Sequence, residues 1–216
     1  MPVKGAQGSG GGRGKGKFKN IAKLAEELTK NPLLHFNKKE CECLLNMMKF
    51  KLDRAKFREI LSHTFGMTDD VLMDRVFRAF DKDSDSYVSP EEWVRGASIF
   101  LKGNQEEQIQ FCFEVYDMNG DGYISREEMF QLLKHSLVKP SAEEDPDENV
   151  KDLLELTLKR MDYDHDSRLS LADFKQAIES ENLLLEVLGQ CLPEPSRVQA
   201  FLTLVAQDSD TMHFGK

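Results

Sequence analysis

Apolar residues return every three or four positions over most of this chain, and short carboxylate-rich breaks separate the runs. Ile21 to Leu28, Cys41 to Met48 and Phe57 to Phe65 have that spacing, as do Cys112, Phe113 and Tyr116, then Met129, Phe130 and Leu133, then Leu183, Leu184, Val187 and Leu188. A period of about 3.6 residues puts one apolar face along each segment, so the pattern predicts amphipathic helices throughout and minimal strand. Asp53 stands where the N-cap of the Phe57 to Phe65 helix belongs. The chemistry concentrates in the breaks.

The break from Asp117 to Glu128 reads DMNGDGYISREE and offers an oxygen wherever an EF-hand calcium loop needs one. Asp117, Asn119 and Asp121 stand at loop positions 1, 3 and 5, the Tyr123 carbonyl at 7, Ser125 at 9, and Glu128 at 12, long enough to present both oxygens to an ion. Gly122 at position 6 supplies a sharp turn, which needs a positive φ that a Cβ resists. Helical runs flank the loop, so helix, loop and helix make one hand. Ile124 at position 8 is expected to bridge to a partner loop, because a single hand cannot cover its own apolar face.

The spacing recurs 36 residues earlier and 45 residues later. DKDSDSYVSPEE offers Asp81, Asp83, Asp85, the Tyr87 carbonyl, Ser89 and Glu92, but places Ser86 at the turn. A side chain there costs on the order of 1 kcal/mol relative to glycine, or several-fold in affinity. DYDHDSRLSLAD offers Asp162, Asp164, Asp166, the Arg168 carbonyl, Ser170 and Asp173, with Ser167 at the turn. Its closing aspartate is one methylene shorter than glutamate and tends to give one oxygen, which moves coordination toward the octahedron that magnesium prefers. His165 reads as a solvated loop histidine, and the charge of Arg168 opposes the cation. The expected order of calcium affinity is 117–128, then 81–92, then 162–173, the last weak or filled by magnesium at rest.

Three hands leave one unpaired, so the repeat predicts a fourth near residues 30–65. Its helices are present but its loop is not: with Leu52 as the bridging residue, position 1 falls on Leu45 inside an apolar helix. This hand is expected to be structural and to pair with the 81–92 hand without metal. The resulting plan is all-α, of the EF-hand superfamily, with two lobes of paired hands in the manner of calmodulin and the neuronal calcium sensors. A basic tail occupies 1–19. An N-terminal lobe covers 20–100 (the degenerate hand, then a hand over 66–100), a C-terminal lobe covers 104–180, and a helix and tail cover 181–216. A length of 216 residues suits that division.

The formal net charge of −9 belongs partly to the ligand carboxylates, and bound metal would neutralise much of that part. Residues 1–19 run the other way, with Lys4, Arg13, Lys15, Lys17 and Lys19 and no acid. Their composition predicts a flexible extension, or contact with the acidic body or with acidic polymers such as tubulin tails or nucleic acid. The acidic stretch within 140–149 reads as a flexible linker, or as a dock for a basic protein surface. Proline at position 2 excludes N-myristoylation, and neither a membrane-spanning run nor a signal peptide is visible, so a soluble intracellular chain without a membrane anchor is expected. Cys41, Cys43, Cys112 and Cys191 lie on apolar stretches without metal spacing, which predicts reduced, partly buried thiols. No nucleophile elbow or phosphate-cradling glycine loop is present. No catalytic residue is assigned, and neither an enzyme nor a dedicated nucleic-acid binder is expected.

Five segments resemble the calaxins, ciliary relatives of the neuronal calcium sensors: HFNKKE from 35, TFGMTDDVLMDRVFRAFDKD from 64, FCFEVYDMNGDGYISREEMFQLLKHSL from 111, EEDPDENVKDLLELTLKRMDYDHDSRLSLADF from 143 and LLLEVLGQCLPEP from 183. The acidic insertion, the aspartate ending the last loop and the LPEP exit are not generic EF-hand features. Position by position, the three loops fall on the family's three metal sites. The resemblance implies a calcium-dependent regulator of outer-arm dynein in the ciliary or flagellar axoneme, bound to a dynein heavy chain and to tubulin. The chain departs from the family pattern in its two serine turns, its shortened first hand and its glycine and lysine tail.

In the sensor mechanism, calcium opens the angle between the helices of a hand and exposes an apolar groove. Trp93, Met129, Phe130, Leu133, Leu154 and Leu158 are the candidates to line it. The segment from Leu183 to Ala206 is read as a helix that either plugs this groove or covers the last hand. Three other readings stay open: a constitutive docking subunit whose metal only holds the fold, a calcium buffer, and a regulatory subunit of another enzyme in the manner of calcineurin B.

Overall fold

Several helices of this chain begin at an asparagine or serine followed three residues later by an acid. Asn37 with Glu40, Ser89 with Glu92, Asn104 with Glu107 and Ser170 with Asp173 all form reciprocal capping boxes, each satisfying amides that a helix start leaves free. The computed structural model describes residues 21–48, 51–136 and 146–211. Its elements run α1 (Ile21–Leu28), α2 (Lys38–Met47), β1 (Leu52–Asp53), α3 (Arg54–Phe65), α4 (Asp70–Phe80), β2 (Tyr87–Val88), α5 (Pro90–Lys102), α6 (Gln105–Tyr116), β3 (Tyr123–Ile124), α7 (Arg126–Ser136), α8 (Pro146–Met161), β4 (Leu169–Ser170), α9 (Leu171–Ser180), a 3₁₀ helix (Asn182–Glu186) and α10 (Pro195–Thr211).

Two antiparallel bridges join the hands in pairs. Leu52 lies opposite Val88, and Ile124 opposite Leu169. The degenerate hand therefore keeps the bridge while α2 runs through the stretch where a loop would begin. Asp53 caps α3, its carboxylate accepting the Lys56 amide at 2.9 Å. In the first pair Phe57 packs edge-on against Phe77, Phe80 and Trp93. In the second, Phe174 packs against Phe113 and Tyr116.

Arg75 fastens the two pairs together. It lies on the apolar face of α4, almost buried, and donates to the carbonyls of Val115 at 2.9 Å, Met118 at 3.0 Å, Glu114 at 3.2 Å and Asp117 at 2.5 Å. Those of Glu114 and Val115 lie in the last turn of α6, which leaves them without helical partners, those of Asp117 and Met118 follow it, and a cation there also suits the helix dipole.

The C-terminal segment departs from the expected single helix. Leu183 is 85% exposed, whereas Leu185, Leu188 and Cys191 are buried, so the four-residue stripe is broken. Residues 182–192 form a strap across α4, α6 and α7. The Tyr116 hydroxyl donates to the Gly189 carbonyl at 2.6 Å, and the Ser136 hydroxyl to that of Leu188 at 3.1 Å. Gly189 sits at φ +125°, where a Cβ would stand 2.4 Å from Ser136 Oγ and 2.6 Å from a Leu72 methyl. Glycine and the prolines at 193 and 195 redirect the chain, and α10 then packs on α2 and α3, with Phe201 against Phe65. This last helix belongs to the first pair of hands, while the 3₁₀ helix before it packs on α9 and so covers the last hand as expected.

The acidic linker is also shorter than expected, because α8 begins at Pro146 with Asp147 and Glu148 in its first turn, where carboxylates suit the dipole. The rest of that linker and the 1–19 tail lie outside the described residues. Among the described residues no helix is long and apolar enough to cross a membrane. All four cysteines are buried and outside any disulfide.

Candidate metal centres

Loop positions 9 and 12 coincide with the N-cap and third residue of the exiting helix, so those side chains serve twice. Ser89 with Glu92 and Ser170 with Asp173 are capping boxes. Ser125 and Glu128 bond in the same way, with Glu128 Oε2 accepting the Ser125 amide at 2.8 Å. Each closing acid is thereby tied to the helix that follows it while an oxygen faces the loop.

Backbone amides hold the other donors inward. Asp117 accepts from Gly120, Asp121 and Gly122 at 2.7, 3.2 and 2.9 Å. Asp81 accepts from Asp85 and Ser86 at 3.1 and 3.0 Å, and Asp162 from Asp166 and Ser167 at 3.3 and 2.9 Å. Asp83, Asn119 and Asp164 each accept the amide two residues on, as do Asp85, Asp121 and Asp166. One network therefore recurs in all three loops.

The turns differ. Gly122 has φ +89°, and Ser86 and Ser167 hold φ +67° and +68° at the same position. Position 4 is left-handed too: Gly120 at +75°, Ser84 at +56° and His165 at +60°. Each serine-turn loop thus contains two side-chain-bearing residues in a region that a Cβ disfavours. Sequence reasoning identified the strain at position 6 and missed that at position 4.

The closing acids differ in reach. Glu128 Oε1 accepts the amides of Met118 and Asn119 at 2.8 and 3.0 Å, and Glu92 Oε1 those of Lys82 and Asp83 at 2.9 and 3.2 Å. Asp173 reaches the Tyr163 amide at 3.3 Å. The missing methylene costs it a partner across the loop.

Asp81, Asp83 and Asp85 bring carboxylate oxygens within 4.8 Å of one another, and so do Asp162, Asp164 and Asp166. Burial pushes the Asp81 carboxyl up; amide hydrogen bonds from Ser86 and Asp85 oppose the rise, and the charges of Glu92 and Asp85 add to it. Asp117, Glu128, Asp162 and Asp173 are buried as well. Crowded, part-buried carboxylates with oxygen as the only donor type fit a hard divalent cation.

Two basic side chains complicate this. Lys51, from the degenerate hand, pairs with Asp85 and holds its carboxyl below the usual range. Arg168 Nε donates to Asp166 at 2.7 Å, while its guanidinium lies 3.6 Å over the Tyr123 ring of the neighbouring loop. Both serine-turn loops therefore carry an internal cation on the position 5 carboxylate. In the complete loop the neutral Asn119 amide donates to Asp121 at 2.9 Å.

The expected groove is mostly covered in this conformation, though Phe130 and Leu154 line a small cleft of about 310 Å³ with Arg126, Glu127, Gln131 and Lys151. Trp93, Met129, Leu133, Leu154 and Leu158 are buried in the core, and Phe130 is half-buried beneath Lys134. A larger apolar cleft of about 670 Å³ lies beside α5, lined by Leu33, Leu34, Phe80, Ile99 and Phe111 together with Asp83 and Glu92.

The family model for the EF-hand domain pair matches residues 106–179, and that for the EF hand matches residues 72–97. Calaxin of Xenopus laevis is 55% identical over 195 residues, covering 85% of this chain and 93% of that protein. The chain belongs to the calaxin family. Calaxin of Homo sapiens is 52% identical over 202 residues, covering 88% of this chain and 95% of its own length. Calcineurin B of Candida glabrata is 32% identical over 164 residues, 74% of this chain and 90% of that protein. This member of the calaxin family is a calcium-binding regulator and not an enzyme.

Proposed function

We propose that this calaxin-family protein is a calcium sensor of the ciliary or flagellar axoneme that regulates motility through outer-arm dynein and microtubules. The observation that carries the reading is the complete loop at 117–128, set between α6 and α7 in a chain so similar to the calaxins. Asp117, Asn119, Asp121, Tyr123, Ser125 and Glu128 hold the principal calcium ion, the 81–92 set a weaker one, and the 162–173 set calcium or magnesium. Bound calcium supplies a compact divalent charge toward which these oxygens converge. Glu128 is the coupling residue, because it sits in the first turn of α7 while accepting amides from the far side of the loop. Exchanging those amides for another partner re-aims α7 and uncovers Met129, Leu133 and the facing Leu154 and Leu158 for a dynein helix.

A constitutive docking subunit is the second reading, and the internal cations Lys51 and Arg168 favour it, since both weaken the calcium response of their loops. Trp93 packs at the start of α5 beside the first loop, so its emission reports on that hand. Calcium titration in millimolar magnesium, with and without dynein heavy-chain fragments or microtubules, separates the two. The sensor requires target binding that strengthens as calcium rises through ~10⁻⁷ to 10⁻⁵ M. Target binding indifferent to calcium selects the docking subunit, and binding to neither target rejects the axonemal reading.

A further inference from the structure

Cys112 and Cys191 are 79 residues apart in sequence, yet their sulfurs stand 2.9 Å apart and both side chains are wholly buried. A bonded pair stands at about 2.05 Å, so the two sulfurs lie less than ~1 Å beyond bonding distance. The two thiols belong to α6, the entering helix of the 117–128 loop, and to the strap that crosses it. The strap is fixed so that Cys191 faces α6: Glu186 Oε1 accepts the amides of Cys191 and Leu192 at 2.9 and 2.8 Å, and Cys191 Sγ lies 3.3 Å from the Tyr116 hydroxyl. Cys41 and Cys43 are two residues apart on α2, a spacing that points them away from each other.

We infer that Cys112 and Cys191 are a dithiol modification site, converted by a small-molecule disulfide such as glutathione disulfide into a bond that clasps the strap to α6. While the strap is closed, burial pushes the Cys112 thiol well above its usual range and keeps it inert. Opening of the strap exposes Cys191, whose thiolate attacks one sulfur of the small disulfide and expels the first small thiolate. Reclosure brings the mixed disulfide against Cys112, whose thiolate attacks the Cys191 sulfur and expels the second. Two protein thiols are oxidised, one small disulfide is reduced to two thiols, and the protons lost by the protein are taken up by those thiols. The modification requires no metal. Its consequence, an entering helix that can no longer part from the strap, rests on the proposed calcium response.

The full-length reduced protein is equilibrated with glutathione disulfide, alkylated, and digested without reductant for mass spectrometry. The expected result is a Cys112–Cys191 cross-linked peptide as the dominant linked species, loss of alkylation at two of the four thiols, recovery with dithiothreitol, and an upward shift of the thermal midpoint. Cys191→Ser and, independently, Cys112→Ala each abolish that peptide, and the wild-type result stands if either variant misfolds. Retained alkylation at both cysteines, a stable glutathione adduct on Cys191 that never resolves, or cross-links spread over all four thiols overturns the inference. None of these results depends on calcium binding, so the two readings fail separately.

Discussion

Serine at φ +67° in the first loop and +68° in the third holds a side chain in the left-handed region, where a cost in metal affinity is expected. Ser86→Gly removes a Cβ from the left-handed region and is expected to tighten the first site several-fold, about 1 kcal/mol, in a calcium titration read by Trp93. An unchanged midpoint contradicts the strain argument. Lys51→Met removes the cation that shares the Asp85 carboxylate, so the same titration is expected to tighten by about two- to five-fold, with a weaker dependence on ionic strength. The ligand side chains themselves were legible because each must stand at a fixed offset within twelve residues. Lys51 and Arg75 were not, since each reaches its partner from a different element: Lys51 lies 34 residues before Asp85 and Arg75 42 before Asp117. For Arg75 a signal did exist, a lone arginine between Leu72, Met73 and Val76 on an otherwise apolar face.

Among the elements, those around the loops followed from helical period and caps, while the strap did not. Its leucines repeat at helical spacing, but Gly189 and two prolines stop the period within a few residues, and a stripe that short does not separate a 3₁₀ turn from a full helix. Glu186 holds the strap by a half-buried carboxylate, and desolvation by burial raises its pKa above the usual 4.5 against two amide hydrogen bonds. The folded state therefore binds this proton more strongly than the unfolded chain. The contribution to stability is full below pH 4.5 and is lost as pH rises through the folded pKa. Glu186→Gln keeps the Oε1 acceptor for Cys191 and Leu192 and removes the buried charge. Urea denaturation is expected to find the variant more stable than wild type near pH 7, with the difference closing near pH 4. A variant less stable near pH 7 would mean that the charged hydrogen bonds outweigh desolvation.

At the scale of the whole molecule, Arg75 and α10 convert two pairs of hands into one connected body. Arg75→Leu leaves buried carbonyls at the end of α6 without donors and is expected to destabilise the protein by roughly 2–4 kcal/mol in chemical denaturation. Because those carbonyls include that of Asp117, calcium affinity at the 117–128 loop is expected to fall in the same variant. Loss of stability with unchanged affinity would confine Arg75 to holding the lobes together. The central claim, that calcium is held first and most tightly by residues 117–128, is tested most directly by calorimetric titration of the purified protein beside Glu128→Gln. The account predicts that the tightest heat signal is present in the wild type and lost in the variant, while the weaker Trp93-reported event persists. An absence of heat in the wild type, or a tightest site that survives Glu128→Gln, contradicts it.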